Sequence, residues 1–277
     1  MKNGLCKRAL MVGGSSGIGL AVARELAAGG CSLLLLARRK ELLQGAAAEL
    51  RDRNPAVRVE TLSLDVADLQ QVREGLVPAL ADFGTPDLVY NGAGRVKPAA
   101  FTSLAVADLR DALKLNVEGT WNVLEIVVPL LRRAGGGHIV NVASFAGLVG
   151  IYGYSTYSAS KFAVYGLSQV LRNELVHDNI RVQVLCPPDT ATPQLEEENR
   201  IKPAETAAVG AFTGVLAPEM VAKYLVKKLG GPDFLLIPGF RARLSWYAYR
   251  IFPGLVHRII DGDVRRARKA VAGPRGS

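Results

Sequence analysis

Little in this sequence suits metal or disulfide chemistry. Its 277 residues hold three cysteines, Cys6, Cys31 and Cys186, with no Cys-x-x-Cys pair and no His/Cys cluster at metal-ligand spacing. Such usage excludes a cysteine-rich secreted scaffold, argues against a disulfide framework and suits a reducing compartment. No metal site is expected. Internal repeats and low-complexity segments are also lacking. The first apolar run begins within ten residues of Met1, so neither a signal peptide nor an N-terminal membrane helix is expected. What is present is apolar bulk: 49% of the residues are hydrophobic, ample for one large α/β domain.

Short apolar runs alternate with helical patterns. Strands are predicted at 9–12, 32–37, 57–63, 87–91, 138–144, 181–186 and 233–237, and helices at about 17–28, 40–53, 68–83, 107–133, 155–177 and 217–229. Six of the strands read as continuously apolar, as expected when helices cover both sheet faces. The run Val57 to Ser63 alternates more, which places it nearer an edge. This βαβ alternation predicts a doubly wound parallel seven-stranded sheet of the Rossmann kind, with ligands at the C-terminal strand ends. Gly13, Asp65, Asn91, Ser144 and Pro187 all fall at such ends.

Two patterns carry chemistry. Gly13-Gly14-Ser15-Ser16-Gly17-Ile18-Gly19 joins the first strand to the first helix. Glycines there let the backbone approach a pyrophosphate seated on the helix N-terminus, although the spacing is Gly-x-x-x-Gly-x-Gly rather than Gly-x-Gly-x-x-Gly. Further on, Tyr157 and Lys161 are spaced i, i+4, which sets a phenol and an ammonium on one helix face. A free tyrosine titrates near about 10, and an adjacent cation favours its phenolate, moving it toward the range of an acid-base catalyst. Ser144, after the apolar run His138 to Ala143, is placed to hold a carbonyl oxygen beside that phenol.

Taken in order, these motifs resemble the short-chain dehydrogenase/reductase family over residues 8 to about 238. The matching stretches are Gly13 to Gly19, Asp65-Val66, Asn91-Gly92-Ala93-Gly94, Asn116 within Leu115 to Gly119, Ser144, Tyr157 with Lys161, and Pro187 to Thr192. Val12, Gly92 and Pro188 depart from the residues usual there, which bears on loop geometry rather than reaction class. The resemblance implies a ketone reductase in which Asn116, Ser144, Tyr157 and Lys161 are catalytic. Lys161 would lower the tyrosine pKa and bind the nicotinamide ribose, and Asn116 would hold a water for a proton relay. Gly13, Ser15, Ser16, Gly17, Ile18, Gly19, Asp65, Val66, Asn91, Pro187, Thr190 and Thr192 would contact the cofactor. The second strand ends in Arg38-Arg39-Lys40, with no acid before Glu41. A guanidinium accommodates the 2′-phosphate of NADP, whereas an acid would bind the free ribose hydroxyl of NAD, so NADPH/NADP+ is expected, with Arg38 the first choice and Arg39 beside it.

Two segments bear on substrate. Cys186 to Pro193, then Glu196-Glu197-Glu198-Asn199-Arg200 and Lys202-Pro203-Ala204-Glu205-Thr206, closely resemble the 3-ketosphinganine reductase branch of the family. That resemblance implies reduction of a long-chain keto-lipid under a lid at about 189–216. Its substrate would carry an ammonium beside the ketone, and Asp189, Glu196, Glu197 and Glu198 could face it; the triple-Glu run reads equally as a solvated helical turn. A reductase of another apolar ketone (3-oxoacyl, steroid or retinoid) stays open, as does a lipid- or NADP-binding sensor.

Residues 240–277 form a basic extension beyond a catalytic domain spanning 1–239. The extension holds nine Lys/Arg against two acids, a surplus of seven out of the chain's net +9. Trp246, Tyr247, Tyr249 and several aliphatics are interleaved with these charges, a pattern that suits a peripheral segment on the cytosolic face of an anionic membrane. Packing of the same segment on the cleft or a partner subunit is the alternative. Arg250, Pro253-Gly254 and His257-Arg258 interrupt it, so it does not read as a spanning helix. No nucleic-acid motif accompanies the charge. The helices at 107–133 and 155–177 resemble those that pair subunits in the family, which implies a homodimer or homotetramer.

Overall fold

The computed structural model describes residues 6–210 and 212–272. Seven strands, β1 (Arg8–Val12), β2 (Ser32–Ala37), β3 (Val59–Ser63), β4 (Leu88–Asn91), β5 (Gly137–Val142), β6 (Ile180–Leu185) and β7 (Leu235–Leu236), form one parallel sheet in the order β3-β2-β1-β4-β5-β6-β7. The doubly wound architecture follows from the side chains. Leu33 to Leu36 on β2 are all buried, because helices cover both faces and neither face of that strand needs polar residues. β3 alternates buried and exposed positions and forms the sheet edge, as its sequence pattern predicts.

One face of the sheet is covered by α1 (Gly17–Ala28), α2 (Lys40–Arg53) and α9 (Pro218–Lys228), which pack around Met11, Leu33, Leu35 and Val221. The other is covered by α3 (Leu69–Phe83), α5 (Gly119–Arg133) and α6 (Ser155–Glu174), around Leu10, Leu34, Val89 and Ile139. Asp68 caps α3 by accepting from the backbone N–H groups of Gln70 and Gln71. Where the sequence predicts one helix at 107–133, the chain forms α4 (Val106–Leu113), a π-helical turn at Lys114–Glu118, and α5. The substrate side is built by α7 (Pro193–Ile201), α8 (Ala204–Gly210), α10 (Phe240–Ile251) and α11 (Pro253–Ala272).

The disulfide expectation needs correction. Cys6 and Cys31 are bonded, with Cα atoms 5.6 Å apart. The parallel register Arg8↔Ser32 brings their strands' N-terminal ends together, a proximity that a separation of 25 residues hides. Cys186 is free and buried. Among the described residues no group of three or more His, Cys, Asp or Glu could hold a metal ion.

Candidate active site

The strand ends open onto a cavity of about 830 Å³, walled by Gly13 and Ser15 to Gly19, Arg38, Arg39, Asp65, Val66, Tyr157, Lys161, Pro187 and Thr192. Its glycines are required by close approach. A Cβ on Gly19 would stand 2.1 Å from the carbonyl oxygen of Gly13. Gly13 itself has φ +78°, and a Cβ there would meet the Gly92 carbonyl carbon at 2.8 Å. Ser16 begins α1 with no side-chain capping bond, so its hydroxyl and the helix N-terminus face the cavity without a local acceptor. At the far end Arg38 lies 3.7 Å from Asp65 and remains half exposed, able to meet a further anion. A cradle too tight for any side chain, a helix N-terminus and a pair of arginines fit a dinucleotide carrying a 2′-phosphate.

Not every predicted contact lines this cavity. Asn91 is buried and donates to Asn141 Oδ1 at 3.0 Å, while Asn141 donates to Ser168 Oγ at 3.0 Å, so this pair ties β4 and β5 to α6. Thr190 is buried, donates to the Pro188 carbonyl and faces a smaller, neighbouring cavity. Thr192 borders both cavities and caps α7 through Leu195 N–H.

The smaller cavity, about 90 Å³, brings Ser144 and Tyr157 together with Tyr154, Asp189, Glu198 and Thr206. The Ser144 side chain hydrogen-bonds Tyr157 and also accepts from Ala146 N–H. Lys161 is buried and donates to the Val142 carbonyl at 2.8 Å, with its Nζ 5.7 Å from the centre of the Tyr157 ring. Burial lowers the lysine to about 8. The tyrosine does not follow the expected direction. Burial first, then the Glu198 carboxylate, holds it above its ordinary value, and the bond to Ser144 opposes them. Lys161 is hydrogen-bonded to a backbone carbonyl and does not offset these two effects, so the i, i+4 spacing alone does not lower the phenol's pKa.

Asn116 lies wholly buried in the π-helical turn. Its carboxamide accepts from Arg95 N–H at 3.0 Å and donates to the Arg95 carbonyl at 3.1 Å and to Ser160 Oγ at 2.8 Å. Its side-chain bonds thus reach 21 and 44 residues away, outside its own helix. Gly94 closes the same corner; a Cβ there would stand 3.1 Å from Asn116 Oδ1 and 3.2 Å from Lys161 Nζ.

Three residues that the sequence did not single out shape this region. Tyr154 donates to Glu198 Oε2 at 2.9 Å and stands edge-on to Tyr157, with ring centroids 5.6 Å apart. Gly147 lets the turn after Ser144 pack on α6, where a Cβ would meet the Lys161 carbonyl at 2.8 Å. Ser160 accepts from Asn116 and donates to the Tyr157 carbonyl at 2.7 Å. Tyr154 and Ser160 lie in the stretch around Tyr157 and Lys161 that carries the family resemblance, whereas Gly147 left no signal.

With this geometry goes a clear kinship. Residues 7–202 match the short-chain dehydrogenase family, and the chain belongs to it. Among its relatives are the 3-ketodihydrosphingosine reductase of Mus musculus, 36% identical over 79% of this chain and 67% of the relative, and the 3-dehydrosphinganine reductase of Danio rerio, 37% identical over the same shares. Similar solved structures include the L-sorbose reductase of Gluconobacter frateurii complexed with NADPH and L-sorbose (TM-score 0.76, 26% identity, 86% of this chain and 97% of that one) and levodione reductase (TM-score 0.77, 28% identity, 88% and 98%).

Proposed function

We propose that this protein is an NADPH-dependent reductase of the 3-ketone of 3-ketosphinganine, yielding sphinganine. One observation carries the reading: Ser144 and Tyr157 meet in a cavity that adjoins the dinucleotide cradle on one side and an apolar compartment on the other. That compartment lies under α10 and α11, where Phe145, Val149, Ile151, Val209, Tyr249 and Ile260 line it. It shares Phe145, Ile151 and Thr213 with the Ser144–Tyr157 cavity; at about 30 Å³ it marks an apolar direction away from the reacting carbon, and a long alkyl chain would need α10 and α11 to give way. The names of the mouse and zebrafish relatives support the same substrate.

Bound NADPH supplies the hydride that reduces the carbonyl carbon. The chain's residues do the rest. Gly13 to Gly19 bind the diphosphate, with Asp65 and Val66 on the adenine side and Arg38, flanked by Arg39, on the 2′-phosphate. Ser144 Oγ donates a hydrogen bond to the ketone oxygen and polarises it. Tyr157 Oη delivers the proton to that oxygen as charge develops there. Lys161, a cation beside the emerging phenolate, stabilises it and anchors the ribose. Asn116 fixes the Arg95 backbone and Ser160 around them.

Residues 1–239 form the catalytic body in this reading, and 240–277 place it on a membrane surface. On α10, Phe240, Leu244, Tyr247 and Ile251 recur at i, i+4, i+7 and i+11, and all are exposed. Phe252, Leu255 and Ile259 extend this apolar face onto α11, and Arg243, Arg250 and Arg258 accompany it. Among the described residues no helix is long and apolar enough to cross a membrane, so the face suits a peripheral mode on the cytosolic leaflet. Exposed Trp121 on α5 and Phe162 and Val170 on α6 support pairing of subunits through those helices.

The test is NADPH oxidation with detergent-dispersed 3-ketosphinganine, run beside 3-oxoacyl and steroid ketones. Selective turnover of the amino ketone is expected. Turnover of the other ketones alone would replace the substrate, and binding of NADPH with no turnover of any ketone would revive a sensor role.

A further inference from the structure

The cavity that joins Ser144 to Tyr157 carries a charge that ketone reduction does not require. Glu198 lies on the inner face of α7 beside Leu195 and is 9% exposed. Its Oε2 accepts from the Tyr154 hydroxyl at 2.9 Å and its Oε1 from Gln194 Nε2 at 3.1 Å. Both donors are neutral, and among the described residues no cation lies within salt-bridge distance of Glu198. Asp189, on the same wall, does have one, Lys202 at 3.7 Å. Two carboxylates thus share one lysine, on a wall that Glu198 also presents to the dinucleotide cavity. Burial raises both acids above their ordinary values, so a second cation in the cavity would relieve an existing cost.

The surroundings narrow what that cation is. Thr206 also lines the cavity and is 1% exposed, and its hydroxyl has no hydrogen-bond partner. A buried hydroxyl of this kind accepts readily from an N–H donor. The Tyr154 ring spans the gap between Glu198 and the Tyr157 ring. A charge recognised there lies close to the reacting carbon, not far along a chain. On the other side Phe145, Ile151 and Thr213 form a wall shared with the apolar compartment. Glu196 and Glu197 are exposed and neither borders the smaller cavity, although Glu197 lines the dinucleotide cavity, so Glu198 is the one buried acid of the triple-Glu run.

We propose that Glu198, oriented by Tyr154 and Gln194 and supported by Asp189, is the specificity-determining carboxylate that receives the ammonium of a 2-amino-3-ketone. This rests on the reading of the protein as a ketone reductase and adds the group that selects an amine.

The test uses the full chain with saturating NADPH. Wild-type, Glu198→Gln and Asp189→Asn proteins are compared on 3-ketosphinganine and on the 3-ketone of equal chain length that lacks the amine. Glu198→Gln keeps an acceptor for Tyr154, so the wall stays hydrogen-bonded. In that variant kcat/KM for the amino ketone is expected to fall about 30-fold or more, mainly through KM, as for loss of one partner of a buried charge pair. KM for the amine-free ketone should change by less than about 3-fold, the range left to weak polar contacts, while kcat shifts alike for both ketones because Glu198 also acts on Tyr157. Asp189→Asn should show the same selectivity loss in smaller degree. In parallel, calorimetric binding of sphinganine against N-acetylsphinganine should show a preference for the free amine that Glu198→Gln removes. Equal losses on both ketones, or an unchanged ratio, overturn the subsite and leave the reductase reading standing. Wild-type protein that prefers sphinganine but reduces no amino ketone keeps the subsite and overturns the proposed reaction.

Discussion

Asn116 Nδ2 and Ser160 Oγ are 2.8 Å apart, and both residues are fully buried. The bond joins the π-helical turn to α6 one residue before Lys161. Asn116→Ala should strand the Arg95 backbone groups and destabilise the protein by about 1–3 kcal/mol. For a domain of this size that lowers Tm by roughly 2–4 °C per kcal/mol. Turnover should fall further than stability explains, because Arg95 and Ser160 flank the reacting groups. A Tm drop with unchanged kcat would reduce Asn116 to a structural tie.

Tyr157→Phe removes the hydroxyl that both bonds Ser144 and faces the dinucleotide cradle. Turnover should fall by about 10²–10⁴-fold, the range for loss of a positioned proton donor. NADPH binding, followed by fluorescence titration, should stay close to wild type. Near-normal turnover would take the proton-donor role from this residue.

Lys161 supplies a pH signature. Its folded value of about 8 lies below its ordinary 10.5. Between these values the unfolded chain binds the extra proton, so this residue makes stability rise with pH across that window, and the contribution is least favourable below pH 8. Denaturant melts of wild type and Lys161→Met at pH 7 to 10 should show a flatter profile for the variant. Parallel profiles would mean that Lys161 titrates normally in the folded protein.

Arg38→Ala should raise KM for NADPH by about 10-fold or more, the scale of one missing charge-assisted hydrogen bond, while NADH is little affected. Arg38 lies only 3.7 Å from Asp65, so the variant also frees an acid beside the ribose site. Equal losses with both cofactors would shift the 2′-phosphate contact to Arg39.

Exchanging Leu244 and Ile251 for glutamate breaks the exposed stripe of α10 without touching its buried Ala242 and Ser245. Co-sedimentation with vesicles containing anionic lipid should drop about 10-fold or more, since each apolar side chain seated in the lipid interface stabilises binding by about 1.5–3 kcal/mol. Retained binding would return α10 to a partner subunit.

The sheet was legible because β2 and β5 are short, apolar and bounded by turn residues, and because Gly13 to Gly19 can only be a tight strand-to-helix turn. The catalytic pair was legible from its spacing. The break at Lys114–Glu118 was not, because a π-turn changes the hydrogen-bond register without changing apolar periodicity. Glu198 could not be told from Glu196 and Glu197 until α7 fixed which of three adjacent acids shares a face with Leu195. The activation of Tyr157 escapes the sequence for a related reason: it shows that Lys161 is one turn away, but not that its ammonium is held by the Val142 carbonyl.

Arg268 on α11 pairs with Glu205 on α8 at 3.0 Å and bonds the Tyr152 hydroxyl at 3.2 Å. α8 is also the helix that carries Thr206 to the catalytic cavity and Val209 to the apolar one. The C-terminal hairpin is therefore a wall of the reaction chamber as well as its outer surface. Trimming it to obtain a better-behaved sample would open the chamber, and the truncated protein would report a weakened grip on its substrate even in detergent, with no membrane present.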